Sequence, residues 1–249
     1  MNCHNCNNNY DNNIEFLCPS CGKYEIVNLF SEIPTYVKFL KNLVNKTSTI
    51  LDRLQAQCVD RDDFRRAKLG AFNIPTLATI LDLEDYDQDI RYHDSRIPKI
   101  VAQSNPKLSQ KSLQDLVTNI DTRNRISYLT ISLFQFENLF VQLAKHRGFN
   151  KKETYWNVSH YIINNSSLDN KTEKIHTLIL PSIVRNTLHS QGIYKNEKNP
   201  TLVLTVKNIS FKFENNIPHD FSSWREIIFY FNSIIDVIDE IFKTKDYTW

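Results

Sequence analysis

Glycine and methionine are scarce in this chain: 249 residues contain 4 Gly and 1 Met, with 8 Pro. So few chain-breaking residues argue against a many-turned β architecture and for long helices. No uninterrupted apolar run reaches the roughly 18 residues of a membrane span, so no transmembrane helix is expected. Charge of one sign is lacking too, with 30 Lys and Arg against 28 Asp and Glu and a net charge of +2. Any contact with RNA or DNA must therefore come from a local patch and not from the overall field. The first residues, from Met1 to Cys6, lack the basic and apolar pattern of a secretion signal, and a reducing cytoplasm is the expected compartment. Cysteine is nearly absent after the first 21 residues, where only Cys58 remains of the 5 in the chain. Alone on a predicted helix face, Cys58 reads as a small buried hydrophobe.

What the chain does have is apolar bulk. It is 41% hydrophobic, with 15 Phe and 11 Tyr, enough for a sizeable core. Its length fits one medium domain with an appendage, or two small domains.

The appendage is marked by cysteine spacing. Cys3-x2-Cys6 and Cys18-Pro19-Ser20-Cys21-Gly22 are two CxxC pairs of the kind that places four thiolates about a tetrahedral ion at ~2.3 Å. Gly22 suits the tight turn after the second pair. The segments from Tyr10 to Leu17 and from Lys23 to Phe30 would supply strands or turns. The predicted unit is a four-cysteine zinc ribbon over residues 1–30, with structural Zn²⁺ held by Cys3, Cys6, Cys18 and Cys21; four thiolates leave no open coordination position for catalysis. Two disulfides are the competing reading. The segment is too short to fold without a staple of one kind or the other, and the missing secretion signal weighs against disulfides. Such ribbons bind nucleic acid, bind protein or cap a domain, and the spacing does not choose among these. Asn7-Asn8-Asn9 is a polar loop.

Pro34 opens a predicted helix with Tyr36, Val37, Leu40, Leu43, Val44, Ile50, Leu51 and Leu54 at helical spacing, continuing towards Arg66. The alternating charges from Asp60 to Arg66 read as a solvated face. Residues 31–110 form a helical and linker region; from Gly70 to Pro106 the periodicity is weak, interrupted by Pro75, Pro98 and Pro106, with a short helix expected over Thr76 to Leu83. Tyr92, His93 and Arg96 carry no assigned role.

From Lys111 the pattern strengthens. Ile126, Leu129, Leu133, Phe136, Phe140 and Leu143 step by three and four, predicting a long amphipathic helix that stops at Gly148. Glu137 interrupts its crowded middle; a carboxylate there is usually exposed, but if buried it would need a cation, and Arg185 is a candidate. Lys145, His146, Arg147, Lys151 and Lys152 form a basic cluster, either a phosphate-binding patch or ordinary charge at a helix C-terminus. Trp156 to Ile163 is another helix, whose His160 reads as a surface or boundary residue. Thr201 to Val206 and Ser210 to Phe213 alternate with period two and predict a β-hairpin near 201–214. A last helix starts near Ser222, with Ile227, Phe231, Ile234, Ile238 and Phe242 as its stripe. Trp224, Ile228, Ile235 and Ile241 widen that face beyond one contact, so a second helix or a partner subunit must cover it.

Between these lies Thr172 to Ser190, a helix that Pro181 should kink, leaving a carbonyl near Thr177 unpaired. Reading back from His189, the residues Asn186, Ser182, Ile179 and Ile175 share one face, apolar at its start and polar at its end. Arg185 lies four residues before His189, so the two side chains can be neighbours. Gly192 then matches the left-handed residue that ends a helix. Arg offers phosphate a bidentate fork that stays charged, and imidazole exchanges protons near neutrality. The plainer reading is a polar helix end, with Arg185 paired to Glu137 while Asn186 and His189 cap carbonyls.

The order of a long helix with a central Glu, a helix ending in R-N-x-x-H-x-x-G-I-Y, a hairpin and a final apolar helix resembles the HEPN superfamily over residues 111–249. The resemblance rests on Arg185, Asn186, His189 and Gly192. It implies a mainly α fold, a HEPN-like helical bundle with one β-hairpin, here preceded by the zinc ribbon. Active members are metal-independent endoribonucleases acting as toxins, antiphage defence effectors and RNA-processing factors, commonly as dimers that join two such helices. Carried over, Arg185 would hold the scissile phosphate, His189 would act as acid or base on the 2′-OH or the leaving 5′-oxygen, and Asn186 would fix geometry. The expected partners are RNA, a second copy bound through these helices, and an antitoxin or a defence-complex subunit, with no membrane. The family most often separates Arg and His by four to six residues, whereas three stand between them here, and Ser190 occupies the position of the next spacing. One residue is ~100° of helix rotation. The alternative function is a non-catalytic HEPN-like scaffold that binds RNA or protein and contacts partners through its ribbon.

Overall fold

The computed structural model describes residues 33–57, 63–91, 110–150 and 154–244. The ribbon with its four cysteines, Cys58, Tyr92, His93, Arg96, Lys151 and Lys152 lie outside these. Among the described residues the chain forms six helices and one antiparallel hairpin: α1 (Ile33–Ala56), α2 (Phe64–Arg91), α3 (Gln110–His146), α4 (Tyr155–Asn164), α5 (Lys171–His189), β1 (Thr201–Val206), β2 (Ile209–Glu214) and α6 (Trp224–Lys243). The architecture is mainly α with one hairpin.

The last helix is the centre. Ile227, Phe231, Ile234 and Ile238 on its predicted stripe are fully buried, and Trp224, Ile228, Ile235 and Ile241 beside them are buried as well. Helices of the same chain provide the cover, since α6 packs against α1, α3 and α5. Phe231 lies 5.6 Å from Phe72 of α2, 5.4 Å from Tyr128 and 5.7 Å from Phe136 of α3 (ring centroids), which makes an aromatic knot of three helices. A capping box starts α6: the Ser223 amide donates to Glu226 Oε2 at 2.9 Å, and the Glu226 amide donates to Ser223 Oγ at 3.4 Å. The same end is tied to α3, because Trp224 Nε1 donates to Asp121 Oδ1 at 2.8 Å and Arg125 Nη1 donates to the Ser222 carbonyl at 2.6 Å.

Two expectations about the first half are corrected. α1 ends at Ala56 and a separate helix begins at Phe64, where one continuous helix towards Arg66 was predicted. The stretch read as an irregular linker with a short helix over 76–83 is, up to Arg91, the long α2, with Pro75 inside it. Its buried side is Leu69, Phe72, Thr76, Ile80 and Leu83, a regular stripe hidden by a threonine at its centre. Thr76 is satisfied there, donating to the Phe72 carbonyl at 2.9 Å and meeting the Tyr128 hydroxyl at 3.1 Å. The opposite side carries Ile74, Leu77 and Leu81 exposed, so apolar residues on both faces erase the period.

The hairpin lies on α5. Leu204 pairs with Phe211 and Leu202 with Phe213, which turns one face inward. Lys207 and Asn208, at φ of 47° and 64°, make the two-residue left-handed turn that matches strand twist. The Thr205 amide donates to His176 Nδ1 at 3.1 Å and the Lys207 amide to Glu173 Oε1 at 2.9 Å, anchoring the hairpin on the first turns of α5. Pro181 is buried inside α5 without ending it.

Candidate functional site

The stripe down α5 runs from core to surface. Ile175 and Ile179 are buried and Ser182 is nearly so, while Asn186 and His189 are exposed. Desolvation is therefore avoided for the last two polar residues and falls mainly on Arg185, whose side chain is 21% exposed. Its guanidinium reaches across to α3, where Nη1 donates to Glu137 Oε2 at 3.0 Å, the pairing expected for a carboxylate set among Phe136, Leu139 and Phe140. The contact is single-pointed. Nη2 makes only long contacts, both 3.4 Å, to Ser182 Oγ and Asn186 Oδ1. The fork keeps N–H groups with no strong partner.

Arg185 and Asn186 open on a pocket of about 320 Å³ between α3, α4 and α5, whose further lining includes Glu137, Tyr155, Trp156 and Ser182. Two polar atoms of this lining, Glu137 Oε1 and Tyr155 Oη, are buried without a hydrogen bond. Burial pushes the Tyr155 hydroxyl well above the usual phenol range, and the Glu137 carboxylate adds to the shift. Ser159 is close enough to offset a little of it, but its hydroxyl is turned to the Tyr155 carbonyl at 2.8 Å and makes no sound bond to the phenol.

His189 stands outside this pocket, one turn beyond Arg185 at the end of α5. The helix terminus that carries it is firmly closed. The Ser190 amide donates to the Thr187 carbonyl at 2.9 Å, and the Gly192 amide donates to the same carbonyl at 2.8 Å. Gln191 and Gly192 take φ of 59° and 78°, so the left-handed position expected of Gly192 is taken first by Gln191, the residue after the Ser190 cap, and Gly192 continues it. The Gly192 carbonyl then accepts from the His219 amide at 2.8 Å, and Ile193 bridges to Pro218, so the end of α5 is stapled to the chain leaving the hairpin. Ser190 is the helix cap and lines no part of the pocket.

The structure thus gathers Arg185, Asn186 and Glu137 and leaves His189 beside them at the surface. Tyr155 and Trp156 were missed as site residues, because two aromatics at the start of a helix carry no signal of a pocket. Lys145, His146 and Arg147 sit at the end of α3, away from the pocket lining. His160, on α4, is partly buried against Trp156 at 5.2 Å; burial lowers its pKa, and the neighbouring His176 lowers it further. No group of three or more His, Cys, Asp or Glu with metal-binding spacing occurs among the described residues. No described helix is long and apolar enough to cross a membrane. Comparison with family models, curated proteins and solved structures returns no match, so the reading of the site rests on its geometry and chemistry.

Proposed function

We propose that this protein is an endoribonuclease of the HEPN type, a toxin or antiphage effector that cuts RNA by attack of its own 2′-OH. The observation that carries the reading is a guanidinium with a single short hydrogen bond, to Glu137, lining a pocket, with a solvent-exposed imidazole one helical turn away. Arg185 would grip a non-bridging phosphate oxygen with its remaining N–H groups and offset the charge that gathers on the phosphorane. His189 would take the proton of the 2′-OH as that oxygen bonds to phosphorus, or supply one to the departing 5′-oxygen as the P–O5′ bond breaks. The products are a 2′,3′-cyclic phosphate and a 5′-hydroxyl, and the nucleophile comes from the substrate itself, so no metal-activated water is needed.

One imidazole cannot stand on both sides of one phosphate. A second copy supplying its own His189 would resolve this, and Phe134, exposed on α3 three residues before Glu137, offers apolar surface for such a pairing. The ribbon, with Cys3, Cys6, Cys18 and Cys21 on structural Zn²⁺, would add an RNA or partner contact. The cytoplasm is the compartment this chemistry suits. The test is incubation of purified protein with RNA in EDTA, followed by analysis of the ends: cyclic phosphate termini support the reading, and uncut RNA overturns it.

A second reading is favoured by the same ion pair. Glu137 occupies Arg185, and the three-residue spacing rotates His189 relative to the usual motif. On that reading the bundle is a non-catalytic scaffold for RNA or protein. It predicts no turnover, and loss of a partner complex when Cys18 and Cys21 are replaced.

A further inference from the structure

The pocket beside Arg185 holds more chemistry than gripping a phosphate requires. Glu137 Oε1 and Tyr155 Oη, on two of its lining residues, are buried without a hydrogen bond, and polar groups left unmet in this way are costly. Trp156 lines the same pocket and stays 43% exposed, with His160 against the indole at 5.2 Å. A simple anion would satisfy Arg185 and leave Glu137 Oε1 unpaired. A simple cation would satisfy Glu137 and make no use of Arg185. A ligand that suits the whole lining has a flat π-face, N–H donors in its plane and a phosphate attached.

We infer that this pocket is a guanine site, which seats the base next to the scissile phosphate and gives the nuclease proposed above its base preference. Guanine offers two adjacent donors, N1–H and the 2-amino group, and a carboxylate is the side chain that accepts both. Each carboxylate oxygen has two acceptor positions, so Glu137 Oε1 can take the N1–H while Oε2 takes the 2-amino group beside the Arg185 N–H it already accepts. Trp156 stacks on the purine, as aromatic platforms do in single-strand recognition. Tyr155 Oη donates to a ring or carbonyl acceptor. Arg185 then meets the phosphate. Adenine and cytosine present an amine beside an acceptor nitrogen, which a carboxylate repels, and uracil presents one N–H between two carbonyls.

The experiment is calorimetric titration of the full-length protein with 3′-GMP, 3′-AMP, 3′-CMP and 3′-UMP, none of which can be cleaved, so binding is read separately from nuclease activity. The expected result is 3′-GMP at least tenfold tighter than the others. Glu137→Gln brings 3′-GMP to their level, and Trp156→Ala weakens all four at least tenfold. Trp156 is exposed enough that its replacement tests the site even if the Glu137 variant fails to fold. A short RNA with one 2′-deoxyguanosine competes with 3′-GMP if the base comes from a strand; competition by GTP but not by that strand overturns the strand assignment. Equal binding of the four nucleotides, or a Trp156→Ala protein that binds as the parent does, overturns the site. RNA cleavage in EDTA without guanine binding sinks this inference alone, and guanine binding without cleavage sinks the nuclease reading alone.

Discussion

Arg185 Nη1 donates to Glu137 Oε2 at 3.0 Å, while the other oxygen of the same carboxylate is buried without a partner. The carboxylate is thus half satisfied, and its charge depends on one cation. Arg185→Ala is expected to cost about 1–3 kcal/mol by leaving that charge uncompensated, below the 3–5 of fully buried pairs because both side chains retain some exposure. Glu137→Gln should cost less. A double-mutant cycle in urea should give a coupling of about 1 kcal/mol, and strict additivity would contradict the pair.

The closure of α5 is the second relationship open to test. Gly192 has φ of +78°, and a methyl group there would meet the His219 carbonyl at 3.5 Å, an ordinary contact. The cost of Gly192→Ala is therefore backbone strain, about 1–2 kcal/mol, with little added by crowding. Thermal melting should show it. Because the same turn holds the end of the helix that carries His189, RNA cleavage should also slow.

At the other end of the core, Ser223→Ala removes the capping box of α6. The expected loss is about 1 kcal/mol, seen as a drop of a few degrees in Tm with no change in RNA cleavage.

Burial lowers the pKa of His160, with His176 adding to the shift, so the folded state prefers the neutral ring. The sign follows. Above the ordinary value of 6.5 both states are neutral and His160 has no effect on stability. Below it the unfolded chain takes up a proton that the folded chain resists, and stability falls until the folded group titrates in turn. Urea midpoints at neutral pH and about one unit below 6.5 should differ more for the parent than for His160→Gln.

Much of the fold was legible in the chain. Leu129, Leu133, Phe136, Phe140 and Leu143 are all buried, as their three-and-four spacing required, and the hairpin sits where alternation placed it. Glu137 showed itself as a carboxylate in an apolar run, and Arg185 proved to be its partner. α2 was not legible. Pro75 signalled a break, Thr76 stood in the buried stripe, and Ile74, Leu77 and Leu81 filled the outer face, so no single period emerged. The pocket was not legible either, because Tyr155 and Trp156 come to Arg185 only through the packing of α4 on α3 and α5. Local spacing carries no record of that.

In the proposed reaction His189 moves a proton while Arg185 holds the phosphate. The most direct test is single-turnover cleavage of end-labelled RNA in EDTA by the parent and by His189→Ala, with folding checked by circular dichroism. The parent should leave cyclic phosphate ends, and the variant should cut about 10²–10⁴-fold more slowly, the usual worth of a general acid or base. Full activity of His189→Ala, or no cleavage by the parent protein, would contradict it.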